Sequence, residues 1–219
     1  MKEKFAVLFD MDGVIIDSNP YHKSAWVEFC KIHQIDIKEE ELGKNIYGKT
    51  NKDALKNILG KELSAEESDK LGEEKEALYR DLHGPEMVPV KGLINFLEEL
   101  KKNNVATAVA TNAPTSNVDF ILHKIGVRHY FDAIIDAKQV KKGKPDPEIY
   151  LKAAEMVNIS SDRCIVMEDS TTGVEAGLKA NMKVVGITTT HTAEELSHTH
   201  LVINDFDELS VDKLADLLQ

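Results

Sequence analysis

The chain has 219 residues, 42% of them hydrophobic and 30% charged, and its 27 basic against 38 acidic side chains leave a formal charge of −11. That length suits one sizeable domain, or a core carrying a smaller insertion. The acidic residues are spread along the chain, which argues against nucleic acid or an anionic membrane as the main partner.

No apolar run approaches a bilayer span, and the apolar run of MKEKFAVLFD stops at an aspartate, so no signal peptide is read and a cytoplasmic protein is expected. A monomer is the simplest expectation. Cys30 and Cys164 lie far apart in apolar surroundings, so buried reduced thiols are expected.

In chain order, short apolar runs recur at 5–9, 105–110, 132–136, 164–167, 183–188 and 200–204. Amphipathic stretches at 92–103, 115–125, 146–157, 170–180 and 207–218 alternate with them. In 92–103, Leu93, Phe96, Leu97 and Leu100 form a helical stripe. Continuous apolar strands between such helices predict an α/β fold, a Rossmann-like doubly wound parallel sheet. Gly173, Gly177 and Ala180 are spaced for close approach of a helix to that sheet.

One segment breaks the rhythm. Between Asn19 and Pro85 the patterns are helical only: YHKSAWVEFCKIH, NKDALKNIL and SAEESDKLGEEKEALYRDL, the last opened by a capping-box pair, Ser64 and Glu67. The acidic run at 39–42 reads as a solvated helix start, and Trp26, Phe29 and Cys30 as an apolar core face. The expected organisation is a catalytic core, 1–18 and 86–219, with an inserted helical-bundle cap, 19–85. Proline and glycine in IIDSNP and GPEMVPVKG mark the expected hinges, about which the cap should close.

Ligands of open α/β sheets bind beyond the carboxyl ends of the strands, so the residues following each predicted strand are candidates. The first strand offers Asp10 and Asp12, the second Thr111 and Asn112, and the fourth Glu168, Asp169 and Ser170. The loop KKGKPDPEIY adds Lys144. Several acids, a lysine and a hydroxyl on one edge suit phosphoryl transfer assisted by Mg²⁺, a hard ion that prefers oxygen ligands. Asp10 is the candidate nucleophile and Asp12 the candidate acid and base. Thr111 and Lys144 would stabilise the charged equatorial oxygens.

Taken singly, each feature has a plainer reading. A lone Asp-x-Asp-Gly occurs in calcium loops, although here glycine falls at loop position four and Tyr21 at position twelve, which is the wrong register. Glu168 and Asp169 alone would cap the 170–180 helix, Thr111 would be a strand end, and Lys144 a solvated loop lysine. His191, His198 and His200 are expected to be ordinary surface histidines. Joint occurrence, in order and each at a strand end or adjacent loop, favours the active-site reading.

FDMDG, the Thr111 strand end, KGKPDP and MEDS together resemble the four ordered motifs of the haloacid dehalogenase-like hydrolases, over nearly the whole chain. Within that family, FDMDGVIIDSNPYHKSAW and MEDS look most like the β-phosphoglucomutase-like phosphatases. The resemblance implies an Asp10 nucleophile, an Asp12 acid/base, and Mg²⁺ held by Asp10, the Asp12 carbonyl and Asp169 with help from Glu168. It implies that Thr111, Asn112 and Lys144 hold the phosphoryl group. In the cap it points to His22 and Lys75 as substrate-binding residues, and places Asn51 where the mutases carry an arginine that grips a second phosphate. An asparagine supplies no charged fork; Lys49 or Lys52 would have to compensate. The expectation is a phosphatase acting on a small phosphorylated metabolite, a sugar phosphate, through an aspartyl phosphate. The alternatives are a β-phosphoglucomutase and, from a different class, a phosphoaspartate receiver-like signalling domain.

Overall fold

The computed structural model describes residues 4–46, 50–83 and 87–219. The chain divides into two compact units, one running to Asp17 and resuming at Val88, the other spanning Ser18–Met87.

The first unit is a six-stranded, wholly parallel sheet with helices, a Rossmann-like α/β fold. Its strands are β1 (Ala6–Phe9), β2 (Ala106–Ala110), β3 (Ala133–Ile135), β4 (Cys164–Glu168), β5 (Lys183–Ile187) and β6 (Leu201–Ile203), in the spatial order β3-β2-β1-β4-β5-β6. The chain's strand order reverses beside β1, which makes the β1–β4 boundary a topological switch point where α/β sheets open a crevice. Phe9 is in register with Val109 on one side and Met167 on the other, so the ends of β1, β2 and β4 finish level.

Why the central strands read as unbroken apolar runs is visible in their packing. All four β1 residues are buried, because alternate side chains enter different cores on the two faces of the sheet. Ala6 and Leu8 join Ala108, Ile135, Tyr150 and Val166 in one cluster. Phe9 instead meets an aromatic group, with ring centroids 5.7 Å from Phe131 and 6.4 Å from Phe96, both edge-on.

The predicted helices at 92–103, 115–125, 146–157 and 170–180 correspond, in the numbering used from here, to α5 (Leu93–Lys102), α6 (Thr115–Lys124), α7 (Glu148–Met156) and α8 (Thr171–Lys179). The predicted helix over 207–218 is corrected. A 3-10 turn, Phe206–Glu208, is capped by Asp205, and a separate short helix, α9 (Val211–Asp216), begins afresh where Ser210 accepts a hydrogen bond from the Lys213 amide. Two caps, at Asp205 and Ser210, stop one helix and start another.

The second unit is helical: α1 (Asn19–Ile32), α2 (Glu39–Ile46), α3 (Asn51–Leu59) and α4 (Ala65–His83). Thr50 caps α3, and the predicted capping box forms at α4, where the Ser64 amide donates to Glu67 at 3.0 Å and the Glu67 amide to Ser64 at 3.2 Å. Trp26, Phe29, Cys30, Leu42, Leu55 and Ile58 are buried together, as expected for a core of its own. Cys30 and Cys164 are buried free thiols. No helix among the described residues is long and apolar enough to cross a membrane.

Candidate active site

Asp10, Glu168 and Asp169 come together at the carboxyl ends of β1 and β4, each offering an oxygen within 4.8 Å of the others. The backbone brings them there directly: the Asp10 amide continues the sheet by donating to the Met167 carbonyl at 3.0 Å. Lys144 reaches in from its loop. Its Nζ lies 2.7 Å from Asp10 Oδ1 and 2.7 Å from Glu168 Oε1, with its side chain only 4% exposed. Lys144 is thus not the solvated loop lysine it would be if taken alone; the two carboxylates hold the ammonium inside.

Glu168 and Asp169 do not cap α8. That task falls to Ser170, whose hydroxyl accepts from the Gly173 amide at 3.1 Å. Glu168 is instead enclosed by donors. Oε1 accepts from Lys144 and from the Tyr150 hydroxyl at 2.8 Å, while Oε2 accepts from the Asp169 amide, the Ser170 amide and the Ser170 hydroxyl. Burial alone would raise its pKa, but Lys144 and then Tyr150 and Ser170 outweigh it and hold this carboxyl below the usual range. Helix α8 packs so close that a Cβ on Gly173 would lie 1.7 Å from Glu168 Oε1, which is why glycine stands there.

Asp10 and Asp169 behave in the opposite way. Burial lifts the Asp10 carboxyl to about 7; Lys144 pulls it down, while Glu168 and Asp12 push it further up. Burial, then Glu168 and Asp10, push Asp169 well above the carboxylate range. Two buried acids that resist ionisation, facing a third that is ionised, form a pocket suited to a cation. The three acidic side chains that meet here offer carboxylate oxygens, which fit a hard divalent ion.

The turn after β1 is shaped to admit Asp169. Gly13 has φ +80°, and a Cβ there would stand 1.9 Å from Asp169 Oδ2. Asp12 is half-buried in this turn. One strand across, Thr111 is buried and its hydroxyl accepts from the Ala113 amide at 3.1 Å, leaving the hydroxyl hydrogen for another partner. Asn112 Oδ1 accepts from the Lys144 amide at 3.2 Å, tying the β2 loop to the lysine loop.

Three other expected residues meet inside the helical unit. Lys75, 2% exposed, places Nζ 2.8 Å from His22 Nδ1 and 2.8 Å from Glu76 Oε1. Asn51 Nδ2 donates to the same Glu76 oxygen at 2.7 Å. The His22 ring stacks on Tyr79 at 4.1 Å. Lys49 lies outside the described residues.

Several neighbours of these groups were not singled out from the sequence. Tyr150 hides in the apolar stripe of α7, and Glu76 is one acid among many in EEKEALY. Thr189, Thr190 and His191 follow β5: the Thr190 hydroxyl donates to Asp169 Oδ2, Thr189 to the Gly13 carbonyl, and His191 Nδ1 lies 2.9 Å from the Asp169 carbonyl oxygen. His191 is thus no ordinary surface histidine. Applying the strand-end rule to 183–188 would have found all three. His198 is exposed, and His200 Nδ1 accepts from the Val184 amide at 3.1 Å, a structural contact.

Residues 7–187 match the family model of haloacid dehalogenase-like hydrolases. The chain is 30% identical to a β-phosphoglucomutase of Bacillus subtilis (strain 168), over 96% of this chain and 94% of that one. It is 28% identical to the chloroplastic 5-amino-6-(5-phospho-D-ribitylamino)uracil phosphatase of Arabidopsis thaliana, over 95% of this chain, and spans only 57% of that protein's length. Its fold superposes on the crystal structure of a HAD hydrolase, family IA, variant 3, from Entamoeba histolytica HM-1:IMSS, with a TM-score of 0.91 and 36% identity, over 98% of this chain and 99% of that one. The family model spans most of the chain and the Bacillus subtilis relative nearly all of it, over motifs at the ends of β1, β2 and β4: the chain belongs to the haloacid dehalogenase-like hydrolases.

Proposed function

We propose that the protein is a Mg²⁺-dependent phosphatase of a small phosphorylated metabolite, a sugar or polyol phosphate, working through an aspartyl phosphate on Asp10. The observation that carries the reading is the buried constellation of Asp10, Lys144, Glu168 and Asp169 at the switch point of the sheet.

In the first half of the reaction the Asp10 carboxylate attacks phosphorus, and the bond from phosphorus to the ester oxygen breaks. Asp12 gives the leaving oxygen its proton. In the second half a water attacks the phosphoryl group, Asp12 takes the water's proton, and Asp10 is released as carboxylate with inorganic phosphate. Thr111, Asn112 and Lys144 hold the phosphoryl oxygens, and Lys144 also favours the ionised, nucleophilic form of Asp10. Glu168, with both oxygens engaged, positions Lys144. Asp10, the Asp12 carbonyl and Asp169 would hold Mg²⁺, which supplies positive charge against the phosphoryl oxygens and the carboxylates. The helical unit acts as a cap that limits water while substrate is bound, and the enzyme works in the cytoplasm.

A β-phosphoglucomutase is the second reading, favoured by the likeness to the Bacillus subtilis enzyme. A mutase must grip a bisphosphate at both ends, which calls for unmatched positive charge in the cap. Among the described residues, the buried Lys75 charge is matched by Glu76, and Asn51 is turned to that same carboxylate. The phosphatase is therefore preferred. Incubation with Mg²⁺ and a panel of phosphate esters, followed by inorganic phosphate, should show release on a few sugar or polyol esters. Conversion of β-glucose 1-phosphate to glucose 6-phosphate without net phosphate release would establish the mutase instead.

The carboxylate chemistry also sets a pH dependence. An acid whose folded pKa exceeds its unfolded value costs no stability where both states are protonated; stability is lost as pH rises from the unfolded toward the folded value. For Asp10 that window runs from 3.8 to about 7, and Asp169 adds to it with the same sign. Glu168 has the opposite sign: its contribution is present above 4.5 and is lost as pH falls from there through its lowered pKa. Mg²⁺ favours the ionised acids, so its stabilisation should grow across the same window. Thermal melts with Mg²⁺ against chelator should show a larger upward shift near pH 8 than near pH 5. An equal shift at both would contradict the burial argument.

A further inference from the structure

The loop that follows β5 does something neither the motifs nor the family likeness assign to it. Three consecutive residues, Thr189, Thr190 and His191, each bond a different atom of the acidic turns. Thr189 donates its hydroxyl to the Gly13 carbonyl, in the turn that carries Asp10 and Asp12. His191 faces the Asp169 carbonyl, and because a carbonyl only accepts, Nδ1 must carry the hydrogen. Thr190 donates to the Asp169 carboxylate itself, at Oδ2.

Asp169 Oδ2 is thereby fixed from two sides. On one it lies against the bare backbone of Gly13, where a Cβ would come within 1.9 Å. On the other stands the Thr190 hydroxyl. Rotating the carboxyl group would break the threonine bond at Oδ2 or press an oxygen harder on the Gly13 backbone. Thr190 is itself exposed, so its hydroxyl is not needed to fill a core.

We infer that Thr190 is a positioning residue for Asp169, holding its carboxylate in the orientation that binds the cation, with Thr189 and His191 anchoring the two turns it joins. The inference rests on the metal-dependent reading above. Partners that hydrogen-bond a ligating carboxylate fix its orientation and typically contribute about 10–100-fold to metal affinity.

The test compares wild type with Thr190→Val, which keeps shape and removes the donor, and with Thr190→Ser, which keeps the donor. Mg²⁺ is titrated calorimetrically into each protein, and each is melted in chelator. Thr190→Val should bind Mg²⁺ about 10–100-fold more weakly while its melt in chelator shows it still folded, and Thr190→Ser should behave like wild type. Thr190→Ala serves the same purpose should valine crowd the turn. Affinity within about twofold of wild type for Thr190→Val, or equal loss in Thr190→Ser, overturns the role of the hydroxyl. A wild-type protein that binds no Mg²⁺ overturns the underlying reading as well, so the two failures are told apart by the first titration.

Discussion

Replacing Asp10 by asparagine is expected to lower kcat by at least about 10⁴-fold, since removal of a covalent nucleophile leaves only binding and electrostatic contributions. The amide is isosteric, so the loss should come without unfolding. Its effect on stability near neutral pH without metal should be small, because the neutral amide removes the cost of ionising a buried carboxyl while Lys144 loses one of its two partners and keeps Glu168. A carboxyl that burial lifts to about 7 is an acid the fold would rather keep neutral, and an amide is neutral at every pH. Stopped and steady-state phosphate release, read beside a urea melt in chelator, checks both halves. Turnover near the wild-type rate in Asp10→Asn would remove Asp10 from the chemistry. A loss of activity accompanied by a large loss of stability would instead mark the residue as structural.

Replacing Lys144 by methionine should act on the fold itself. Its ammonium is the positive charge that both Asp10 and Glu168 touch at 2.7 Å, and it also stands 4.9 Å over the Tyr150 ring. Deleting one partner of a buried ion pair strands the other, which typically costs about 3–5 kcal/mol. Methionine fills much of the volume, so the loss would report charge rather than a cavity. Urea denaturation of the metal-free protein at neutral pH measures it. A change below about 1 kcal/mol would mean that the two acids take up protons readily once the lysine has gone, and that the cluster is less tightly coupled than its distances imply. Activity should fall with stability, because the same charge favours the ionised Asp10.

Much of this arrangement was legible in advance, for a reason that differs from element to element. Strands β1, β2, β4 and β5 are covered on both faces, so they appear as unbroken apolar runs that no amphipathic helix imitates. The expected helix over 207–218 divides because its apolar spacing runs on through Leu209 and Val211 while the cap at Ser210 restarts it. Tyr150 and Glu76 were invisible for opposite reasons. The tyrosine has the apolar spacing of a core residue, and only packing shows that its hydroxyl meets Glu168. The glutamate lies in a run of charges, and only folding buries it against Lys75 and Asn51. The threonines after β5 lay where the strand-end rule pointed, in a polar stretch that otherwise resembles any loop.

Periodicity and the residues that break it are local properties of the chain, so most elements, their order, and the acids and hydroxyls at strand ends can be read from the residues alone. Which of those ends meet depends on the fold. Parallel pairing joins strands far apart along the chain, and it is the neighbouring of β1 with β4 that sets Asp10 beside Glu168 and Asp169. The state of each charge was decided there too. A lysine on a loop and an aspartate after a strand carry ordinary pKa values until burial withdraws water, and after that their neighbours determine which of them holds a proton.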